Sequence, residues 1–110
     1  MEKMLLNKVE YITPYDNAKY LINVHLGKYA NGDKRIYADY LDKEIGAWMP
    51  FLTFTVSIPE VPLKDDEVII KNYSENADAL PWLYSWDIVT PVRQVVGNRV
   101  VFDVCKLLKE

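Results

Sequence analysis

Eight carboxylates in the middle of the chain are the residues best suited to chemistry. Asp39, Asp42 and Glu44 surround one expected turn, Asp65, Asp66 and Glu67 sit at a second, and Glu75 and Asp78 stand at the start of an expected helix. Two or three converging carboxylates can hold Mg²⁺ for phosphodiester hydrolysis, because the metal activates water and steadies charge developing on oxygen. Lys71 lies between Glu67 and Glu75 in sequence and could assist such a step. The spacing matches no nuclease motif, however, and turn acids are ordinarily solvated. Acids at a helix start also meet the positive end of the helix dipole, which is reason enough for Glu75 and Asp78. The sequence therefore names no catalytic residue, no metal and no cofactor.

The other reactive side chains point the same way. His25 is the only imidazole, and on a strand it faces away from Tyr20, Ile22 and Val24, where an ordinary hydrogen-bonded role is expected. Cys105 is the only cysteine, which excludes an internal disulfide, and one His with one Cys makes no structural zinc set. No activating group is identifiable beside Cys105, so it reads as a small apolar residue. Four glycines form no phosphate-binding loop.

Charge is more informative by segment than in total. The net −3 divides into +2 for residues 1–37, −7 for residues 38–87 and +2 for residues 88–110. A nucleic-acid binder needs a basic stripe, and none is visible, so direct DNA binding is not expected. An acidic middle suits a basic protein surface as partner, or else forms an ordinary solvated face. The N-terminal stretch has a single apolar pair, Leu5 and Leu6, before polar residues return, so export and membrane anchoring are not expected. A reducing cytoplasm fits the cysteine usage.

These residues must be positioned by a scaffold, and a 110-residue chain that is 50% hydrophobic is expected to be one domain, 1–110. Residues 51–58 alternate Leu52, Phe54, Val56 and Ile58 with Thr53, Thr55 and Ser57, which predicts a central strand with one apolar and one hydroxyl face. Pro59 and Pro62 end it. Residues 4–13 form a first strand of uncertain limits, and Pro14, Tyr15, Asp16 and Asn17 form a turn. Residues 19–29 and 35–41 form a hairpin about Asn31, Gly32 and Asp33, with Ile22, Val24 and Leu26 on one face and Ile36, Ala38 and Tyr40 on the returning strand.

Val68, Ile69 and Ile70 make a short strand. Residues 74–87 make the one helix, capped by Ser74 or Asn76, with Pro81 tolerable only near its first turn and Trp82 and Trp86 on one face. Residues 88–96 and 99–108 flank a Gly97-Asn98 hairpin, Pro91 marks an edge, and Val100, Phe102 and Val104 are expected in the core, opposite Val101, Asp103 and Cys105. The predicted fold is α+β: a curved antiparallel sheet of about five to seven strands with one short helix.

The run from Leu52 to Ile58, followed by Val68-Ile69-Ile70-Lys71-Asn72-Tyr73-Ser74-Glu75-Asn76, resembles a family of short bacterial proteins carried on plasmids, phages and conjugative elements. The resemblance covers residues 35–108 and carries no enzymatic motif, so it transfers no catalytic residue. The chain also looks like small anti-CRISPR proteins that inhibit the type II guide-RNA-dependent effector nuclease. That resemblance implies a non-enzymatic inhibitor in the cytoplasm of a bacterial host. It would bind the nuclease, with or without guide RNA, and interfere with guide loading or nucleic-acid binding. The eight carboxylates would supply its contact charges and exposed tyrosines its anchors. Two alternatives stay open: an accessory protein-binding domain of a plasmid or phage, and a metal-dependent nuclease acting on guide RNA.

Overall fold

The computed structural model describes residues 2–14, 16–73, 76–97 and 99–109. Among these residues the strands are β1 (Lys3–Ile12), β2 (Lys19–Lys28), β3 (Lys34–Asp42), β4 (Ala47–Thr53), β5 (Thr55–Val56), β6 (Glu67–Ile70), β7 (Val89–Gly97) and β8 (Val100–Leu107), and a helix, α1 (Ala79–Ser85), precedes β7. They form two antiparallel four-stranded sheets, ordered β1-β2-β3-β4 and β5-β6-β8-β7. The antiparallel, strand-dominated fold with one short helix agrees with the sequence, but the single sheet of five to seven strands does not.

The division occurs inside the strand expected to be central. That strand begins early, at Ala47, and is interrupted at Phe54. There the backbone N–H donates to the Ile36 carbonyl of β3 at 2.8 Å, while the Phe54 carbonyl accepts from Lys71 N–H, just beyond β6, at 2.8 Å. One residue thus bonds to both sheets. Thr55 is buried rather than on a solvated hydroxyl face, because its Oγ1 accepts the Ile36 N–H at 3.2 Å and it contacts the Tyr29 hydroxyl. The alternating apolar residues therefore divide between two cores. Leu52 and Phe54 join the main cluster with Tyr11, Ile22, Val24, Ile36, Val68 and Ile70. Val56 and Ile58 join a second cluster with Ile69 and Val104.

The β2–β3 hairpin forms as its pattern predicts. Tyr29 N–H donates to the Asp33 carbonyl, and Gly32 supplies the positive φ of 92° in the turn. Register pairs Val24 with Ala38 and Leu26 with Ile36, so both apolar faces enter the main core. β7 is an edge strand, as Pro91 requires, and the ladder slips between Pro91 and Arg93. β8 lies between β6 and β7 and is covered on both sides. Val104 packs in the second cluster and Cys105 in the main one, which corrects the expectation that only one face of this strand is buried. Val100, expected in the core, is exposed near the hairpin tip.

The helix is seven residues, shorter than residues 74–87, and Pro81 falls in its first turn, where its missing N–H costs no intrahelical bond. Ser74 lies outside the described residues, as do Tyr15 of the first turn and Asn98 of the last hairpin. Asn76 does not cap the helix; its Nδ2 donates to the Thr53 carbonyl at 2.7 Å. Asn72 Oδ1 instead accepts the Leu80 N–H at 3.1 Å. At the other end, Ile88 N–H reaches the Leu83 carbonyl and Asp87 N–H the Tyr84 carbonyl, with Asp87 at φ 55°. This paired ending normally has glycine at the left-handed position. Ala79, Leu80 and Leu83 are buried, and the Trp82 and Trp86 rings meet with centroids 5.5 Å apart, on one face as expected. Both rings pack on Tyr11 of β1.

Two substitutions test this architecture in urea denaturation. Phe54→Ala empties a fully buried site between the sheets and is expected to cost about 3–5 kcal/mol. Asp87→Gly relieves the left-handed backbone and is expected to stabilise by about 0.5–1 kcal/mol.

Candidate functional site

The strands deliver the sequence-predicted carboxylates to different places. Asp42 ends β3, and Glu44 lies in the turn to β4. The Asp42 Oδ1 accepts the Glu44 N–H at 3.0 Å and its carbonyl accepts the Gly46 N–H at 2.8 Å, so the turn fixes the Asp42 carboxylate and the Glu44 backbone. Gly46 has φ 65°, the left-handed conformation such a turn needs. Beside this turn is a surface cleft of about 500 Å³ whose lining includes Glu10, Asp42 and Glu44, Lys19 and Lys43, and Tyr20 and Tyr40. Lys19 is 3.8 Å from Glu10. Tyr20 and Tyr40 meet edge to face at 5.5 Å, and Phe51 supports both from behind at 4.6 and 5.3 Å. The tyrosines are half-buried and held by their ring contacts, so they present a pre-formed wall.

The second acidic turn is at the far end of β3. Lys34, the first residue of that strand, donates through Nζ to the Asp65 carbonyl, and eight residue steps separate it from Asp42. At strand rise that is roughly 26 Å. The acids of the two turns therefore do not form one patch. Around Asp65 the charges balance: a cleft of about 430 Å³ brings Asp33, Asp65 and Glu67 together with Lys28, Lys34 and Lys64.

Asp66 is 3.8 Å from Lys106. Glu67 is buried, with one oxygen accepting Arg93 Nη1–H at 2.6 Å and the other the Lys64 N–H at 3.0 Å. The arginine bond, followed by the Lys64 N–H, holds its carboxyl below the ordinary 4.5 despite burial. Both Glu67 oxygens are engaged inside the protein, so it is a structural acid and not a displayed contact charge.

Asp39 lies between the two turns, on the outer face of the first sheet, with Oδ2 at 3.2 Å from His25 Nε2. Tyr37 stacks on the imidazole at 5.0 Å, and the Arg35 guanidinium lies 4.3 Å above the Tyr37 ring. Asp78 is exposed at the start of α1 and caps nothing with its side chain. Glu75 lies outside the described residues. The buried Cys105 thiol is pushed up to about 11, by burial above all and against the opposing hydrogen bond from Tyr84, so it is protonated near neutrality.

The residues missed by the sequence are those joined across strands. His25 and Asp39 were both on outward parities, and aligning the apolar faces of β2 and β3 places them on one surface. Tyr20 and Tyr40 read as core positions because they share parity with Ile22 and Ala38. They reach the cleft only because they stand near the ends of their strands.

Among the described residues, no three His, Cys, Asp or Glu side chains converge as around a metal ion, and no helix is long and apolar enough to cross a membrane. The buried Glu67 makes a pH prediction. Its carboxyl is lowered in the folded state, so its stabilisation is full above 4.5 and fades as pH falls through the lowered value. Glu67→Gln is expected to lower the thermal midpoint at pH 7, and the gap from the unsubstituted protein should close as the pH is taken below 4.5. Compared with known proteins, the chain matches no protein-family model, no curated protein and no solved structure.

Proposed function

We propose that the protein acts by binding rather than by turnover, taking a cationic segment of a partner protein into the cleft beside the β3–β4 turn. The observation that carries this reading is the placement of Asp42, Glu44 and Glu10 against the paired rings of Tyr20 and Tyr40. A guanidinium or ammonium group entering there meets carboxylates for charge and aromatic faces for stacking, a combination that strengthens as water is displaced. The resemblance to anti-CRISPR proteins supplies the partner: the type II effector nuclease, whose guide and heteroduplex run through a strongly positive channel. Occupying part of that channel interferes with guide loading or with nucleic-acid binding. The contact charges narrow from the eight carboxylates of the middle segment to those at the cleft, with Tyr20 and Tyr40 as anchors.

A second reading is favoured by a separate surface. Val96 and Val101, paired across the β7–β8 hairpin, are 72% and 57% exposed, an apolar tip suited to an accessory protein-binding domain of a plasmid or phage.

The test incubates the purified protein with effector, guide RNA and Mg²⁺, and reads complex assembly by gel filtration and RNA integrity on a denaturing gel. Intact RNA with lost assembly is expected. Asp42→Asn with Glu44→Lys keeps the turn acceptor but replaces two negative charges by one positive, and it should weaken capture of the effector roughly tenfold or more and flatten its salt dependence. Asp65→Lys at the far turn should change little. Unaltered capture by the cleft variant overturns the assignment of the site, shortened RNA moves the protein to the nuclease reading, and no effect on either assembly or RNA leaves the accessory domain.

A further inference from the structure

Two fully buried side chains each carry a polar atom with no hydrogen-bond partner among the described residues: the Tyr11 hydroxyl and the Asn76 Oδ1. A desolvated donor or acceptor left unpaired bears the whole loss of its hydration, so buried polar atoms in folded proteins are nearly always satisfied by protein or by ordered water. The orientation of the Asn76 amide is fixed. Its Nδ2 donates to the Thr53 carbonyl at 2.7 Å, and turning the amide over would set two oxygens against each other.

Both residues contact the stretch 51–54. Thr53 lies between Phe51 and Phe54 in the chain, and Tyr11 packs edge-on against both of those rings, at 6.1 and 6.0 Å. The Asp78 carboxylate, two residues beyond Asn76, acts electrostatically on the Tyr11 phenol, which burial already pushes above its ordinary range. The phenol therefore remains protonated and able to donate, while the amide oxygen can only accept.

We propose that one internal water molecule sits where β1 meets the end of β4, accepting a hydrogen bond from the Tyr11 hydroxyl and donating one to Asn76 Oδ1. Two such partners are the minimum that holds a buried water. The bridge ties β1 to the segment leading into α1, and so keeps Tyr11 under the Trp82 and Trp86 rings it contacts at 5.3 and 6.2 Å. This inference is independent of what the cleft binds.

The sign of one substitution tests it. Removing a hydroxyl that bonds a water strips the water of a partner and leaves the Asn76 oxygen unsatisfied, so Tyr11→Phe is expected to lower the thermal midpoint by about 3–6 °C. Removing a hydroxyl that bonds nothing relieves a penalty, and a midpoint that is unchanged or raised overturns the proposal.

A second measurement uses the unsubstituted chain and does not depend on how the variant folds. Nuclear Overhauser cross-peaks to a long-lived water are expected from the Tyr11 ring protons and the Asn76 amide protons. Their absence overturns the bridge whatever Tyr11→Phe does to the midpoint.

Discussion

Phe54 gives its N–H to one sheet and its carbonyl to the other, and the rest of the molecule depends on that double bond. A strand that stayed in one ladder would direct all its alternating apolar residues into one layer. Leaving the first ladder at Phe54 lets Leu52 and Phe54 pack with β2 and β3, while Val56 and Ile58 serve the second sheet. The Phe54 ring closes the junction against Tyr11 at 6.0 Å and Trp86 at 6.3 Å, so strands from the start of the chain and the helix near its end converge on one residue. Thr55 supports it by lending a side-chain oxygen where β3 would otherwise lose a ladder partner, at Ile36 N–H.

The arrangement of charge follows from this scaffold. β3 runs the full width of the first sheet, so one acidic turn lies at its end and the other is drawn to its beginning by Lys34. The far turn is neutralised within the protein by Arg93, Lys106 and the neighbouring lysines. At the β3–β4 turn Asp42 fixes the loop, and Asp42 and Glu44 line one cleft with two tyrosines. A sequence that is acidic through its middle thus becomes a molecule with three carboxylates and two lysines around one cleft and an internally paired far end. Exposed pairs contribute little to stability, whereas Glu67 is different because its buried carboxylate has both oxygens engaged, by Arg93 and by the Lys64 N–H.

Local patterns in the sequence carried the elements well. Alternation with an Asn-Gly turn was enough for β2 and β3. Pro91 marked the edge strand, whereas the helix expected from residue 74 begins only at Ala79, which is what places Pro81 in its first turn. What was not legible arises between layers. The alternation from Leu52 to Ile58 is continuous although the structure is not, because period two reports which way a side chain points and not which core it meets. Val104 and Cys105 are consecutive and both buried, since β8 is covered on two sides, and a pattern read for one buried face misassigns one of them. The His25–Asp39 pair and the tyrosine wall needed the register between strands, which no single segment encodes. Summed charge located the acids but could not separate Glu67, locked under Arg93, from Glu44, exposed in its turn.

Hydrogen exchange of individual backbone amides tests the central claim most directly. If Phe54 joins the two sheets, the amides of Phe54 and Lys71 should exchange only through global unfolding, with free energies equal to those of the central strands β2 and β6. Exchange of these two amides at the rate of the exposed turn at residues 43–46, while β2 and β6 stay protected, would contradict it, since the sheets would then be joined by a loose connection.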